Sequence, residues 1–83
     1  MFTVYILYSE STNRFYIGYT GEGVDIRLQK HLAHHKGFTG KQNDWKIVYT
    51  EIYQTRQDAM RREKEIKKWK SRVMIERLIK STE

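Results

Sequence analysis

Tyr5, Tyr16, Arg27, His31 and Glu63 are the residues of this chain best suited to chemistry. With no cysteine present, a thiol nucleophile, a thiolate zinc site and a disulfide scaffold are all excluded, so oxygen and nitrogen side chains must do the work. A phenol with a pKa of about 10 is a poor base at neutral pH unless nearby positive charge favours the phenolate. Arg27 offers a planar fork that fits oxyanions, and His31 follows it at i,i+4 spacing along one helix edge. Glu63 is a carboxylate of the kind that holds a hard divalent ion. Base, cation and metal ligand are thus all available if the fold gathers them. Singly, each has an ordinary explanation: ring packing for the tyrosines, a solvated edge for Arg27 and His31, an ion pair for Glu63. The run His31, His34, His35 does not make a zinc site, because H-x-x-H-H on one helix spreads its rings and no further ligand is evident.

The elements that must position these residues read ββαβαα. FTVYILY and RFYIGYT are rich in β-formers, and the polar SESTN between them reads as a hairpin loop. Pairing Tyr8 with Asn13 places Tyr5 opposite Tyr16 and Gly18 opposite Thr3, with both phenols on one face. Phe15, Ile17 and Tyr19 point to the other side of the second strand. Residues 24 to 35 suit a helix with Val24, Leu28 and Leu32 as its apolar stripe. GFTGKQND reads as a loop. WKIVYTEIY reads as a third strand, with Trp45, Ile47, Tyr49, Glu51 and Tyr53 on one face and Val48 and Ile52 on the other.

Thr55, with Asp58 three residues on, marks a helix start, and the helix runs over residues 56 to 69. At about 100° per residue, Glu63 falls within about 40° of Ala59 and thus on the buried stripe with Ile66, whereas Glu65 points about 120° away from Ala59, toward water. A carboxylate on that stripe requires an arginine, a lysine or a metal ion beside it. Trp69 reads as core. Ser71 caps a last short helix whose Met74, Ile75, Leu78 and Ile79 are expected to cover the sheet.

The chain is 83 residues long with a formal net charge of +6 and a pI near 9.7. That length suits one α+β domain over residues 1 to 83, and the charge points to a polyanion partner, nucleic acid ahead of an anionic membrane. The opening MFTVYILY lacks the basic segment of a signal peptide, and no stretch approaches a membrane span, so a soluble, cytoplasmic protein is expected. Lys36, Lys41, Lys67, Lys68, Lys70 and Arg72 are candidates for phosphate contacts that depend on salt and not on sequence. Gly18, having no side chain, is read as a place where a substrate backbone comes close to the sheet.

Thr3-Val4-Tyr5, Tyr16-Ile17-Gly18, Arg27-Leu28-Gln29-Lys30-His31 and Arg62-Glu63-Lys64, followed by Ile66-Lys67-Lys68-Trp69-Lys70, stand in an order and spacing that resembles the GIY-YIG endonuclease family in its small single-domain bacterial form. The resemblance covers nearly the whole chain. It implies a small fold around a three-stranded antiparallel sheet and hydrolysis of DNA phosphodiester bonds with Mg²⁺ or Mn²⁺. It also implies that Tyr5 closes the first family motif, Tyr16 opens the second, Arg27 is the helix arginine, His31 occupies the position four later, and Glu63 is the metal ligand. Three departures stand out. Thr3 and Val4 replace Gly-Ile, the Gly21-Glu22-Gly23 segment is one residue longer, and the asparagine of some larger members has no match.

These readings together point to a metal-dependent DNA endonuclease of low sequence specificity, in a repair, recombination or mobile-element setting, directed either by DNA structure or damage or by a targeting partner protein. Tyr5 leads as general base, with Tyr16 and His31 as rivals. The rival class is a non-catalytic basic domain that binds nucleic acid and keeps the fold.

Overall fold

The computed structural model describes residues 1–33 and 44–81, the side chains of residues 30–33 excepted. Six elements follow in the order ββαβαα: β1 (Phe2–Ser9), β2 (Arg14–Thr20), α1 (Val24–Ala33), β3 (Trp45–Tyr53), α2 (Arg56–Lys68) and α3 (Arg72–Lys80). The three strands form one antiparallel sheet in the order β2-β1-β3. The first strand is therefore the middle one, which explains why its sequence is apolar on both faces. Val4, Tyr5, Ile6 and Leu7 are each at most 2% exposed.

Helices cover both faces. On one side Tyr5, Leu7 and Trp45 form a buried cluster closed by Tyr16, Ile47 and the α1 stripe residues Val24 and Leu28. On the other, Val4, Ala59 and Ile66 form a second cluster, joined by Phe2, Ile17, Tyr19, Tyr53, Trp69, Ile75 and Leu78. Thr55 caps α2 by accepting from the Asp58 amide at 3.2 Å, and Ser71 caps α3 by accepting from Met74 at 3.4 Å. Both side chains satisfy an N–H that the first helical turn leaves without a partner.

The hairpin register differs from the expected one by two residues. Tyr5 stands opposite Gly18, Leu7 opposite Tyr16 and Tyr8 opposite Phe15. The cause is local: Asn13 adopts a left-handed conformation (φ 58°), so it belongs to the turn and the last pair is Ser9 with Arg14. Asn13 is fixed there by the Tyr8 hydroxyl, which donates to its Oδ1 at 2.7 Å, and by Arg72, which donates to its carbonyl at 2.7 Å. Asp44 ties the same loop to the start of β3, accepting from Ser9 Oγ and from the Ser11 amide, each at 2.7 Å. These bonds, led by the one from the Ser11 amide, hold its carboxyl below the usual range.

β3 also departs from the alternation expected of it. Ile6 pairs with Tyr49 and Leu7 with Ile47, so Val48 is an extra residue, a β-bulge. Trp45 and Ile47 face α1, whereas Tyr49, Glu51 and Tyr53 pair with Ile6, Val4 and Phe2 and so face α2. In α3, Ile75 and Leu78 cover the sheet as expected, but Met74 is 43% exposed.

Candidate active site

α1 is seated on the sheet by Val24 and Leu28, and the same seating brings Arg27 over the end of Tyr5. Arg27 Nε donates to Tyr5 Oη at 3.4 Å. The helix begins with Arg27 N donating to the Gly23 carbonyl at 3.1 Å, and the preceding turn is held by the Glu22 amide, which donates to Thr20 Oγ1 at 3.1 Å. The Gly21-Glu22-Gly23 segment is thus shaped by a short side-chain turn before the helix.

Gly18 has a structural reason that the sequence did not suggest. A Cβ built on it would lie 2.6 Å from Tyr5 Oη and 2.8 Å from Tyr5 Cζ. The phenol lies across the glycine, so in the free protein Tyr5 fills the space that was expected to admit a substrate backbone. Tyr5 is 2% exposed, and burial pushes its pKa above the ordinary 10.0, outweighing the hydrogen bond and charge of Arg27 that pull it down. In the free protein, then, Arg27 alone does not bring the Tyr5 phenol below its ordinary value, and the hydroxyl carries a proton at neutral pH. With its oxygen accepting from Arg27, that proton is available for donation into the pocket.

α2 supplies the carboxylate. Ala59 and Ile66 are fully buried on its stripe, and Glu63 between them is half-buried, its side chain 14% exposed. Among the described residues its one partner is Lys67, whose Nζ lies 3.4 Å from Oε1.

Tyr5, Tyr16, Gly18, Arg27 and Glu63 line a single open pocket of about 520 Å³. Phe2 and Tyr19 belong to the α2 face of the sheet, Tyr5 and Tyr16 to the α1 face, and no β3 residue lines it. The pocket therefore opens at the free edge of β2. Tyr16 is half-buried with its ring edge-on to Trp45, centroids 6.4 Å apart.

None of the remaining predicted residues whose side chains are described lines this pocket. His31 lies on α1, but its side chain, like Lys36 and Lys41, falls outside the described residues. Lys67 is the partner of Glu63, and Lys70 is exposed at the α2–α3 junction in a left-handed conformation (φ 49°). Arg72 serves the hairpin instead: besides Asn13 it pairs with Glu76 at 2.9 Å and stacks 4.9 Å above the Phe15 ring. Arg56, which sequence reasoning overlooked, lines the pocket and donates from Nε to Tyr19 Oη at 3.3 Å. Its only sequence signal is a cation in the first turn of a helix, where the helix dipole disfavours it.

The model of the GIY-YIG catalytic domain matches residues 1–77. The chain is also similar to the solution NMR structure of the UPF0213 protein BH0048 from Bacillus halodurans, at 31% identity and a TM-score of 0.58, over 96% of this chain and 84% of that one. No curated protein matches it. The chain belongs to the GIY-YIG family, and a nuclease-type function, with DNA as the implied substrate, follows at that level. Nucleases of this family generally use divalent metals.

The donor set of this chain is compatible with such an ion. Among the described residues no group of three or more His, Cys, Asp or Glu side chains could hold a metal, and Glu63 is the one acidic residue of the pocket lining. One carboxylate beside an open, wet cavity suits a Mg²⁺-type ion, which keeps several waters and takes further oxygens from substrate phosphate. No helix is long and apolar enough to cross a membrane among the described residues.

Proposed function

We propose that this chain is a DNA endonuclease that hydrolyses phosphodiester bonds at the β2-edge pocket with one divalent ion, Mg²⁺ or Mn²⁺, bound through Glu63, and with little sequence preference. The observation that supports it best is that three phenols, two guanidiniums and a lone half-buried carboxylate, drawn from both faces of the sheet, line one open pocket. A binding module has no need of a carboxylate at the surface that meets phosphate.

The residues divide the work by charge. Arg27 grips a non-bridging phosphate oxygen with the N–H groups that Tyr5 does not use, and so stabilises the charge that builds up on phosphorus. Tyr5, a phenol in the free protein, donates a hydrogen bond toward the same phosphate wherever Tyr16 or His31 is the base. A divalent ion, when bound, supplies Lewis acidity at the phosphoryl oxygens. Lys67, the current partner of Glu63, turns to a neighbouring phosphate, and Lys70 adds a further salt-sensitive contact. Lys36 and Lys41 take the same role.

Three groups compete for the proton of the attacking water, and pH separates them. An imidazole base gives a rate that rises through about pH 6.5, the ordinary imidazole value, and then levels, whereas a phenol base gives a rate still rising in the alkaline range; Tyr5→Phe and Tyr16→Phe then tell the two phenols apart.

Gel analysis of labelled single-stranded, duplex and branched DNA, with Mg²⁺, Mn²⁺ or chelator and beside Glu63→Ala, tests the reading. Metal-dependent cleavage that is lost in the variant is expected, and the preferred DNA shape follows from the same gels. Absence of cleavage on every substrate, with salt-sensitive binding unchanged in the variant, would leave a non-catalytic binding domain. A mobile-element, repair or recombination setting, and a partner protein that targets the enzyme, are consistent with the net positive charge of this domain.

A further inference from the structure

We infer that Arg56 binds a second phosphate, next to the scissile one, so that the substrate is a strand with at least two consecutive phosphates seated across the β2 edge. The inference rests on the nuclease reading of the pocket and adds its second anchor.

Arg56 differs from the other two arginines of α2. Arg61 pairs with Asp58 and Arg62 pairs with Glu51 and Glu65, whereas Arg56 pairs with no carboxylate among the described residues. Its one partner there is the Tyr19 hydroxyl, which takes the Nε–H and leaves the terminal fork open. The side chain is exposed, it lines the same pocket as Arg27 and Glu63, and it stands in the first turn of α2, where a cation opposes the helix dipole. An unpaired guanidinium held by a phenol at a pocket wall, in a place that local energetics disfavour, suits an anion that arrives from outside.

Its direction of approach separates it from Arg27. Tyr19 pairs with Val4 and belongs to the α2 face, whereas Tyr5 pairs with Gly18 and belongs to the α1 face. The two forks therefore reach the pocket from opposite sides of the sheet. Arg27 and Glu63 bracket one phosphate, and Arg56 meets the next one along the strand. A mononucleotide or a single phosphate ester engages only one of the two forks. Tyr19 acts as a positioning residue, since it fixes the plane of Arg56.

The test uses the full chain in a Glu63→Gln background, so that binding is read without cleavage, with single-stranded oligonucleotides carrying one uncharged methylphosphonate at successive positions. With Arg56 present, neutralising one phosphate beside the scissile position should weaken binding about tenfold. With Arg56→Gln added, affinity should fall by a similar factor, the log–log salt slope should lessen by about 0.7, and that phosphate should cease to matter. Arg56→Lys should restore the salt slope and only part of the affinity. Tyr19→Phe should weaken binding less than Arg56→Gln, at the same phosphate. In the otherwise native enzyme, Arg56→Gln should raise KM more than it lowers kcat, with an unchanged melting temperature.

A methylphosphonate profile identical with and without Arg56 would overturn the inference while leaving cleavage intact. Failure of the nuclease reading has a different signature, no cleavage of any DNA by the native chain, and the binding profile can still be read in that case.

Discussion

Two carboxylates flank α2 at nearly the same depth, Glu51 with its side chain 16% exposed and Glu63 with 14%, yet the fold treats them in opposite ways. Glu51, on β3, accepts from Arg62 Nε at 3.0 Å, from Arg62 Nη2 at 3.1 Å, from Tyr53 at 2.6 Å and from the Tyr49 hydroxyl. Its acceptor sites are filled, and Arg62 is itself sandwiched by Glu65 at 2.7 Å and the Trp69 ring at 5.4 Å. Glu63, the next residue after Arg62, has a single exposed lysine at 3.4 Å. Burial alone does not set the two apart. Saturation does: the closed network on the β3 side locks α2 in place, and its neighbour on the β2 side is thereby held toward the pocket with lone pairs to spare.

The sharpest way to break this contrast is to replace each carboxylate by its amide. Glu63→Gln is expected to lower hydrolysis by about a thousandfold, the rate equivalent of about 4 kcal/mol of charge stabilisation, with melting unchanged. Single-turnover cleavage and thermal denaturation on the same preparations read both. Glu51→Gln is expected to do the reverse, costing about 3 kcal/mol of stability because Arg62 is left without its counter-charge, while cleavage per folded molecule changes little. Urea unfolding alongside active-site-normalised rates decides it, and a stable Glu51→Gln protein with lost activity would erase the distinction.

Gly18 joins the two regions through Tyr5. Gly18→Ala is expected to destabilise by about 1–2 kcal/mol, because the new methyl must push aside a ring that is packed in the core. Cleavage should fall by about tenfold as the phenol leaves Arg27. Adding Tyr5→Phe removes the nearest clashing atom, so a double-mutant cycle on stability should show coupling, and strict additivity would mean that the contact is relaxed without cost.

The smallest expected effect is on pH. Burial, reinforced by the Glu51 carboxylate, raises Tyr49 and Tyr53 to about 12. Their contribution to stability is whole below about pH 10, where both states are protonated, and fades between about 10 and 12 as the unfolded chain ionises and the folded one does not. Glu51 runs the other way: burial raises it, but the bonds from Arg62, Tyr49 and Tyr53 outweigh burial and hold it low. Its contribution is present above the unfolded carboxyl value and is lost as pH drops through the lowered native one. Phenolate absorbance titration beside urea unfolding should show both limbs in the native chain and a flatter alkaline limb in Glu51→Gln.

The element order was legible in the sequence because periods of 2 and 3.6 are written directly in the apolar residues, and so was the placement of Glu63 on a buried stripe. The strand register was not, since a slide of two residues preserves every facing and only the left-handed Asn13 distinguishes the alternatives. The side taken by Glu51 was hidden for a related reason: the extra residue at Val48 reverses the alternation beyond it and leaves no mark in composition. Tyr5, Tyr16, Arg27 and Glu63 do come together, as their types and order suggested, but the reason for Gly18 lies in a side chain thirteen positions away. Arg56 looked like any surface arginine, because what sets it apart is that no carboxylate pairs with it among the described residues. Arg72, equally basic, is taken up by the hairpin turn.

The bulge at Val48 has a consequence beyond the facing of Glu51. Among the described residues the three-stranded sheet has two open margins, and the one along β2 is given over to an open, charged pocket. β3, nine residues long and with Ile52 64% exposed, is the margin on which another chain could dock its own backbone. One surplus residue in its middle throws the row of amides and carbonyls out of step halfway along, so an incoming extended strand meets a matching ladder over only part of its length. The irregularity that turns Glu51 inward thus also guards a small sheet against polymerising through its own border.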